Sequence, residues 1–241
     1  MELSKRLSAV AALVTNGYRL ADIGTDHAYI PICLAGTGRI PEAVAMDVNQ
    51  GPLFRAEENI RMHGLEDRIK TRISDGFASL EKGEADAAVI AGMGGPLMIR
   101  ILREGAEVVS TLKECVLQPQ SEIEKVRAFL LEEGFFFLDE DMVEEDGKYY
   151  PMMKVQPPSD AEKAAEDRSG TAWTRTELCY GKLLLMRKNP ILKEFLQREI
   201  CIRRRILNEL KNNKSLKAVQ RRQELEEELK TAEKGMDYYA V

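Results

Sequence analysis

A regular alternation of two kinds of segment between residues 3 and 155 constrains this chain more than any other feature. Short runs of aliphatic and β-branched residues end in Asp, Gly or Gln, and the longer segments between them carry apolar residues at helical spacing. This alternation predicts a mostly parallel sheet with helices packed on both faces. We expect strands over residues 19–23, 43–48, 69–74, 87–91 and 115–117.

The helices between these strands have recognisable ends. The first carries a leucine and valine stripe and ends before Gly17, and another starts near Pro52 and ends before Gly64. Ser121 and Glu124 have the spacing of a capping box at the start of a third helix. A further helix, over residues 28–34, directly follows the first strand.

Two aromatic segments complete the predicted sheet. Residues 135–138 and 149–155 are rich in Phe, Tyr and Met, and an acidic stretch ending in Asp146-Gly147 separates them. An Asp-Gly turn between such segments predicts a hairpin with one strand antiparallel to the rest. The expected fold class is therefore α/β, a doubly wound seven-stranded sheet in a domain of residues 1–156.

Residues 157–241 form a second predicted domain of different character. Pro157 and Pro158 begin a polar linker that reaches Gly170, and no strand pattern follows Pro190. Two apolar stripes flank a polar turn at residues 211–215, which predicts a helical hairpin or short antiparallel coiled coil. From residue 175 onward the chain carries 16 basic and 10 acidic side chains, although its overall net charge is −5. Such a basic region can meet a polyanion.

The rest of the composition argues against several classes of function. The four cysteines are far apart and form no C-x-x-C pair, and the two histidines lack an H-E-x-x-H pattern. We therefore expect reduced thiols and no metal site. No apolar run approaches the roughly 20 residues of a membrane helix, and the N-terminal segment lacks a cleavage signal. The sequence favours a cytoplasmic protein without a membrane span.

Polar residues follow the first two predicted strands. Asp22 and Gly24 end the first, and the glycine allows a ligand to approach the backbone. Asp47 and Val48 end the second, 23 residues beyond Gly24. A carboxylate at about this spacing binds ribose hydroxyls in nucleotide-binding folds, although it does not distinguish one nucleoside ligand from another.

The third and fourth strands end in a comparable way. Asp75 can accept a hydrogen bond from the amino group of an adenine, and Gly76 leaves room for the ring. Gly92 and Met93 lie in a glycine-dense turn after the fourth strand. Because the carboxyl ends of parallel strands share one edge of a sheet, all four strand ends together predict one nucleoside site.

The turn after the first strand favours one nucleoside ligand over another. A dinucleotide site requires G-x-G-x-x-G around the pyrophosphate, whereas this turn reads G-T-D-H-A-Y from Gly24 to Tyr29. Asp26 would place a negative charge beside the phosphates of NAD. S-adenosyl-L-methionine has no phosphate and carries an ammonium and a sulfonium, so carboxylates at this turn favour it.

Three motifs in order resemble the bacterial tRNA (adenine-22-N1)-methyltransferases: D-I-G-x-D-H-A-Y-x-P from Asp22, A-G-M-G-G from Ala91 and L-Q-P-Q from Leu117. The resemblance implies a Rossmann-like class I methyltransferase sheet and a C-terminal coiled-coil domain. It also implies S-adenosyl-L-methionine as cofactor, tRNA as partner, no obligate protein partner, and methyl transfer to N1 of an adenine in the D-arm region. The cofactor-binding residues that it implies are Asp22, Gly24, Asp47, Val48, Asp75, Gly76, Gly92 and Met93.

The acceptor side is less defined. The resemblance places Asp26, His27 and Tyr29 there as candidate catalytic residues. A carboxylate such as Asp26 can stabilise the cationic methylated ring, His27 can take up a proton or orient Asp26, and Tyr29 can stack on a flipped base. From the residues alone, His27 can equally cap the following helix, and Tyr29 can pack within it. Gln118 and Pro119 are further candidates for lining the acceptor pocket.

Basic residues near the tip of the predicted hairpin are candidates for binding RNA phosphates. They are Arg203, Arg204, Arg205, Lys214, Lys217, Arg221 and Arg222. Charges on an exposed helix also occur as a solvated face, and neighbouring glutamates partly offset these. Two alternatives therefore stay open from sequence: a methyltransferase for a small molecule or protein, and a non-catalytic interaction protein with a degenerate nucleotide-binding domain.

Overall fold

The computed structural model describes residues 3–158, 172–212 and 215–240. The chain divides into two compact units, residues 1–169 and residues 170–241. Most of the predicted linker, from residue 159 to 170, and the candidate RNA contact Lys214 lie outside the described residues.

The first unit is built on a seven-stranded sheet, as predicted. Its strands are β1 (Leu20–Ile23), β2 (Ala43–Asp47), β3 (Ile69–Ile73), β4 (Ala87–Met93), β5 (Glu114–Pro119), β6 (Phe136–Glu145) and β7 (Lys148–Gln156). Their order in space is β3-β2-β1-β4-β5-β7-β6. Strands β1 to β5 pair in parallel, and the β6–β7 hairpin joins β5 antiparallel. The doubly wound α/β fold class is therefore confirmed.

Helices pack on this sheet through the apolar stripes that the sequence predicts. They are α1 (Lys5–Leu13), α2 (Tyr29–Gly36), α3 (Gln50–Met62), α4 (Gly95–Glu104), α5 (Ala106–Val109) and α6 (Ile123–Glu132). Val10 of α1, Leu53 and Ile60 of α3, and Val126 and Leu130 of α6 are all buried. Because α2 to α5 return the chain between parallel strands, β1, β2, β4 and β5 all present their carboxyl ends at the same edge.

The register brings the predicted site residues to this carboxyl edge. Ile23 of β1 pairs with Met46 of β2 on one side and with Ile90 of β4 on the other. Asp47 pairs in turn with Ile73, the last residue of β3. The turns that follow these four strands therefore lie next to one another, where open α/β sheets bind ligands.

The hairpin strands are longer than predicted. The acidic stretch before Asp146-Gly147, interpreted from sequence as a turn, belongs to β6 and pairs with β7 as far as Glu145. Glu140 and Met142 are buried on one face of this strand. The interpretation was wrong because acidic residues are typical of turns but also occur in strands, where a buried partner neutralises them. Composition alone does not distinguish the two cases.

The predicted capping box at Ser121 is also wrong. Helix α6 begins after Glu122, which has a left-handed φ of 50° and makes no side-chain cap. Ser121 instead meets Gly95 of α4, whose N–H lies 3.1 Å from the Ser121 carbonyl and 3.3 Å from its hydroxyl. A Cβ on Gly95 would lie 2.5 Å from that carbonyl, so the close approach of two backbones determines this turn.

The described part of the second unit is helical. Its helices are α7 (Arg175–Tyr180), α8 (Lys182–Met186), α9 (Pro190–Leu210) and α10 (Leu216–Asp237). Helices α9 and α10 form the predicted hairpin, with Leu196, Leu225 and Ala232 buried between the helices of this unit. The short helices α7 and α8 were not predicted, although α7 begins with a capping box of Thr174 and Glu177. No helix in the described ranges is long and apolar enough to cross a bilayer.

A buried ion pair joins α6 to the β6–β7 hairpin. Arg127 Nε donates to Glu140 Oε1 over 2.8 Å, and neither side chain is more than 1% exposed. Removing one partner of such a pair leaves a buried charge and costs about 3–5 kcal/mol, whereas replacing both by apolar residues is often neutral.

We therefore expect Arg127→Met to lower the free energy of unfolding by about 3–5 kcal/mol, because Glu140 would stay buried without this partner. The double variant Arg127→Met with Glu140→Leu should recover most of the loss. Urea unfolding followed by circular dichroism measures both. A double variant as unstable as the single one would contradict this account of the pair.

Candidate functional site

The turn after β1 is organised around a buried carboxylate. Asp22 is 6% exposed, and the Thr25 hydroxyl donates to its Oδ2 over 2.6 Å. The backbone N–H groups of Gly24 and Thr25 both donate to the Met46 carbonyl at 2.8 Å. The turn is thereby tied to β2, and the hydroxyl of its own Thr25 orients the Asp22 carboxylate.

Burial changes the chemistry of this carboxylate. The pKa of Asp22 is raised from 3.8 to about 6, chiefly because burial removes its hydration and to a smaller extent because Asp47 is nearby; the Thr25 hydrogen bond opposes the rise. Among the described residues, no cationic side chain pairs with Asp22. A cationic ligand group near it would therefore favour its charged form.

Glycines let the neighbouring turns pack closely against side chains from other elements. Gly24 has a φ of 73°, and a Cβ on it would overlap the methyl group of the Met93 side chain. Gly76, with a φ of 58°, would place a Cβ 2.9 Å from Ile101. Gly92 has a φ of 83°. The turns after β1 and β3 therefore exclude side chains, and Met93 of β4 lies directly against the first of them.

The predicted ribose carboxylate lies at the end of β2. Asp47 Oδ1 accepts from the Asn49 N–H at 2.7 Å, and within the described ranges Oδ2 has no hydrogen bond. Val48 beside it is 58% exposed, an unusual position for a valine that directly follows a central strand. Asp47 and Val48 therefore offer one carboxylate oxygen and one apolar surface to a ligand.

The predicted adenine carboxylate already has a partner. Arg100 of α4 donates to both oxygens of Asp75, at 2.9 and 3.2 Å, and also bonds to Glu104. The Arg100 guanidinium lowers the pKa of Asp75, so this carboxyl group is charged at neutral pH. Both side chains are about half exposed, so solvent screens the pair and a ligand amino group can replace the guanidinium.

Asp26, His27 and Tyr29 lie together on the turn between β1 and α2. His27 Nε2 is 3.3 Å from Asp26 Oδ1, and the rings of His27 and Tyr29 stack with centroids 5.0 Å apart at an interplanar angle of 10°. Arg55 of α3 reaches the same Asp26 oxygen at 3.3 Å. These four residues form a polar cluster that ends in an aromatic stack.

The backbone of this turn has the conformation that glycine prefers. His27 and Ala28 have φ values of 60° and 53°, and the left-handed region costs a non-glycine residue roughly 1–2 kcal/mol. Asn59 of α3 supports the turn by donating to the His27 carbonyl at 3.0 Å. The N-cap of α2 is Ala28, and no side chain caps it. The alternative in which His27 caps the helix is therefore wrong.

Gln118 and Pro119 end β5 at the same edge. Gln118 is fully buried, its Oε1 accepts from Arg6 Nη1 at 2.9 Å, and its Nε2 donates to the Pro119 carbonyl at 3.1 Å. The orientation of this amide is therefore fixed. Sequence reasoning missed Arg6, which comes from α1 and is 112 residues away along the chain.

The candidate RNA contacts of the second unit differ in availability. Arg203 is 16% exposed and pairs with Glu199 and Glu228, so it joins α9 to α10. The other described candidates, Arg204, Arg205, Lys217, Arg221 and Arg222, are exposed or half-buried. Of these, Arg204 pairs with Glu233, Arg205 with Glu209, and Arg221 with Glu224 and Glu228, all at the surface.

Metal chemistry has no support in the part of the chain that the structure describes. There, no group of three or more His, Cys, Asp or Glu side chains is placed to hold a metal ion.

Known proteins share this fold and sequence. A family profile described as "Methyltransferase domain" matches residues 3–153. The tRNA (adenine(22)-N(1))-methyltransferase of Bacillus subtilis (strain 168) is 36% identical over 198 residues, 82% of this chain and 81% of that protein. A putative tRNA methyltransferase of Streptococcus pneumoniae, solved with S-adenosyl-L-methionine, is 30% identical with a TM-score of 0.81, covering 98% of this chain and 100% of that one. TrmK of M. capricolum, solved with S-adenosyl-homocysteine, is 26% identical with a TM-score of 0.80, covering 99% of both chains.

We expect Asp22→Asn to stabilise the ligand-free protein at pH 7.5. The Asp22 carboxyl ionises near pH 3.8 when unfolded but only near pH 6 when folded, so its ionisation lowers the free energy of unfolding as pH rises between those values. The variant should match the wild type near pH 4 and exceed it above pH 6 by roughly 1–3 kcal/mol. Thermal melts from pH 4 to 8 measure the difference.

Asp47→Asn is the control for this experiment, because it removes the same charge from a position that is not fully buried. It should give no comparable gain. An Asp22→Asn protein that is no more stable than the wild type at pH 7.5 would show that burial does not penalise this carboxylate.

Proposed function

The chain belongs to the family of tRNA (adenine(22)-N(1))-methyltransferases, and from this membership we propose how its residues carry out the reaction. The protein is an S-adenosyl-L-methionine-dependent methyltransferase that methylates N1 of adenine 22 in tRNA. One observation carries the residue assignment: a buried carboxylate without a cationic partner lies in a turn where Gly24 lets Met93 of β4 pack directly against the backbone.

The carboxyl edge of the sheet fits S-adenosyl-L-methionine. When bound, this cofactor supplies an electrophilic methyl group on a sulfonium. We assign Asp22 and Gly24 to its amino-acid end, because the buried carboxylate lacks a cationic partner and Gly24 lies in the same turn. Asp47 binds the ribose hydroxyls through the oxygen that the Asn49 N–H does not occupy.

The adenine end of the cofactor lies over β2 and β3 in this assignment. Val48 would provide the exposed apolar surface for the ring, Asp75 would accept from its amino group, and Gly76 adds no side chain to this turn. Gly92 and Met93 lie beneath the sulfonium, because β4 ends beside the turn of β1 and Met93 contacts that turn.

On the acceptor side the residues need to orient a base and stabilise charge. Adenine N1 has a lone pair in the ring plane, so no general base is required before methylation, and the product ring is cationic. Asp26 stabilises that charge, and His27 and Arg55 fix its orientation through their contacts with Oδ1. The stacked rings of His27 and Tyr29 offer an aromatic face to an adenine that leaves its own stack.

The tRNA also needs cationic contacts away from the base. We assign these to the exposed or half-buried basic residues of the helical hairpin, Arg204, Arg205, Lys217, Arg221 and Arg222, where solvent screens the ion pairs with glutamates and RNA phosphates can compete for the cations. Arg203 instead holds the hairpin together through its two glutamates. Lys214 lies outside the described residues and stays a prediction. A cytoplasmic location follows from a tRNA substrate.

Incubation with methyl-labelled S-adenosyl-L-methionine and unmodified tRNA tests the function. Digestion to nucleosides should give 1-methyladenosine as the labelled product, and a transcript with guanine at position 22 should receive no methyl group. Label on another nucleoside, or none on RNA, rejects the function.

Two glycine variants test the donor site. Gly24 and Gly38 share a φ of 73°, but a Cβ would overlap Met93 at Gly24 and meets nothing within 4 Å at Gly38. Both alanine variants therefore carry the same backbone strain, roughly 1–2 kcal/mol. We expect Gly24→Ala to bind S-adenosyl-L-methionine at least tenfold more weakly in isothermal titration, and Gly38→Ala to bind it normally. Equal affinities would place the donor elsewhere.

We expect Asp26→Asn to lower kcat about 10- to 100-fold while the Kd for S-adenosyl-L-methionine stays unchanged, because this carboxylate stabilises charge on the acceptor ring. Asp47→Asn should have the opposite effect, a weaker Kd with a smaller change in kcat. Single-turnover methylation and isothermal titration separate the two. Parallel losses of kcat and donor affinity in Asp26→Asn would move Asp26 to the donor side.

A further inference from the structure

Arg6 belongs to helix α1, but its side chain contacts residues of strands β5 and β7. Its Nη1 donates to Gln118 Oε1 at 2.9 Å, and its guanidinium carbon lies 5.7 Å from the centre of the Tyr150 ring. A Cβ on Gly92 would lie 3.6 Å from the same Nη1. Helix α1 therefore delivers a cation to the carboxyl ends of β4 and β5, beside the turn of Gly92 and Met93.

Several arginines of the sheet unit have charged or backbone partners. Arg19, Arg72 and Arg127 are each paired with a carboxylate, and Arg39 and Arg68 donate to backbone carbonyls. Arg6 is half-buried and touches a neutral amide and a neutral ring. Within residues 3–158, 172–212 and 215–240 it forms no ion pair.

The geometry leaves donors of Arg6 for a ligand. A guanidinium has five N–H donors in a rigid fork, and the bond to Gln118 uses one of them. Both ends of the Gln118 amide are engaged, and the face of Tyr150 supports the guanidinium. A preoriented fork of this kind binds phosphate in a bidentate manner.

We propose that Arg6 binds a phosphate of the tRNA backbone next to the target adenine. The inference rests on the proposed function, which brings the target base to the methyl group of the sulfonium, and the sulfonium is assigned to the turn of Gly92 and Met93. It adds a backbone contact in the sheet unit, separate from the basic residues of the helical hairpin. The phosphate neutralises the unpaired guanidinium and fixes the nucleotide whose base is methylated.

Arg6→Gln is the first variant to test, because it removes the charge and keeps an N–H donor for Gln118. We expect tRNA affinity to fall about tenfold at low salt, a typical loss for one charged hydrogen bond. The slope of log Kd against log salt should decrease by about one phosphate equivalent. The Kd for S-adenosyl-L-methionine and the melting temperature should stay at wild-type values.

Two further variants serve as comparisons for Arg6→Gln. Arg6→Lys keeps the charge without the fork, so it should retain the wild-type salt slope and lose affinity only in part. Arg61→Ala is the matched control, because Arg61 is an exposed cation away from the proposed site. It lies near Ile69, the first residue of β3, at the edge opposite to the carboxyl ends. This variant should change neither the affinity nor the slope.

Substrates with one uncharged methylphosphonate in place of either phosphate flanking adenine 22 locate the contact. One of them should bind wild-type protein about tenfold more weakly and bind Arg6→Gln without further loss. Additive losses at both linkages, or an unchanged salt slope in Arg6→Gln, would overturn the proposal and leave Arg6 as a support for Gln118. Wild-type methylation of adenine 22, measured in parallel, separates this failure from a failure of the proposed function.

Discussion

A carboxylate that is buried without a cation is the constraint on which the rest of the site depends. Asp22 loses hydration in the first turn, and Thr25 restores only part of what it loses. The turn is closed by two backbone hydrogen bonds to β2, so Asp22 cannot withdraw toward solvent without breaking them. A ligand with an ammonium group supplies the missing charge, whereas a pyrophosphate adds to the repulsion.

Charge is distributed along the carboxyl edge of the sheet in two zones. Asp22 and Asp47, at the ends of β1 and β2, make the donor zone negative. Arg6 makes the zone at the ends of β4 and β5 positive. Under the proposed assignment, this distribution would draw a cationic cofactor and a polyanionic RNA to different parts of one edge, with Gly92 and Met93 between them.

The sequence predicted the parts of this structure that depend on local pattern. The positions of residues at strand ends, such as Asp47 and Asp75, were predictable. Strands and helices alternate along the chain, and the carboxyl ends of parallel strands share one edge of the sheet. The long-range side-chain contacts at this edge were not predictable, because Arg100 reaches Asp75 and Arg6 reaches Gln118 from helices with no motif of their own.

Two of the wrong interpretations, those of the acidic stretch before Asp146 and of Ser121, have the same origin. Glu140 belongs to a strand because Arg127 neutralises it inside the fold, and Ser121 does not cap α6 because Gly95 approaches its carbonyl. Both outcomes depend on contacts between segments that a pattern along the chain does not describe.

The exposure of the Asp75–Arg100 pair also has a kinetic consequence. Exposed side chains exchange rotamers in picoseconds to nanoseconds, whereas typical enzymes turn over in a millisecond or longer. Arg100 can therefore leave and rejoin Asp75 many times during one catalytic cycle. Under the proposed assignment, an adenine amino group would compete with it at equilibrium, and the opening of this pair would not limit the rate.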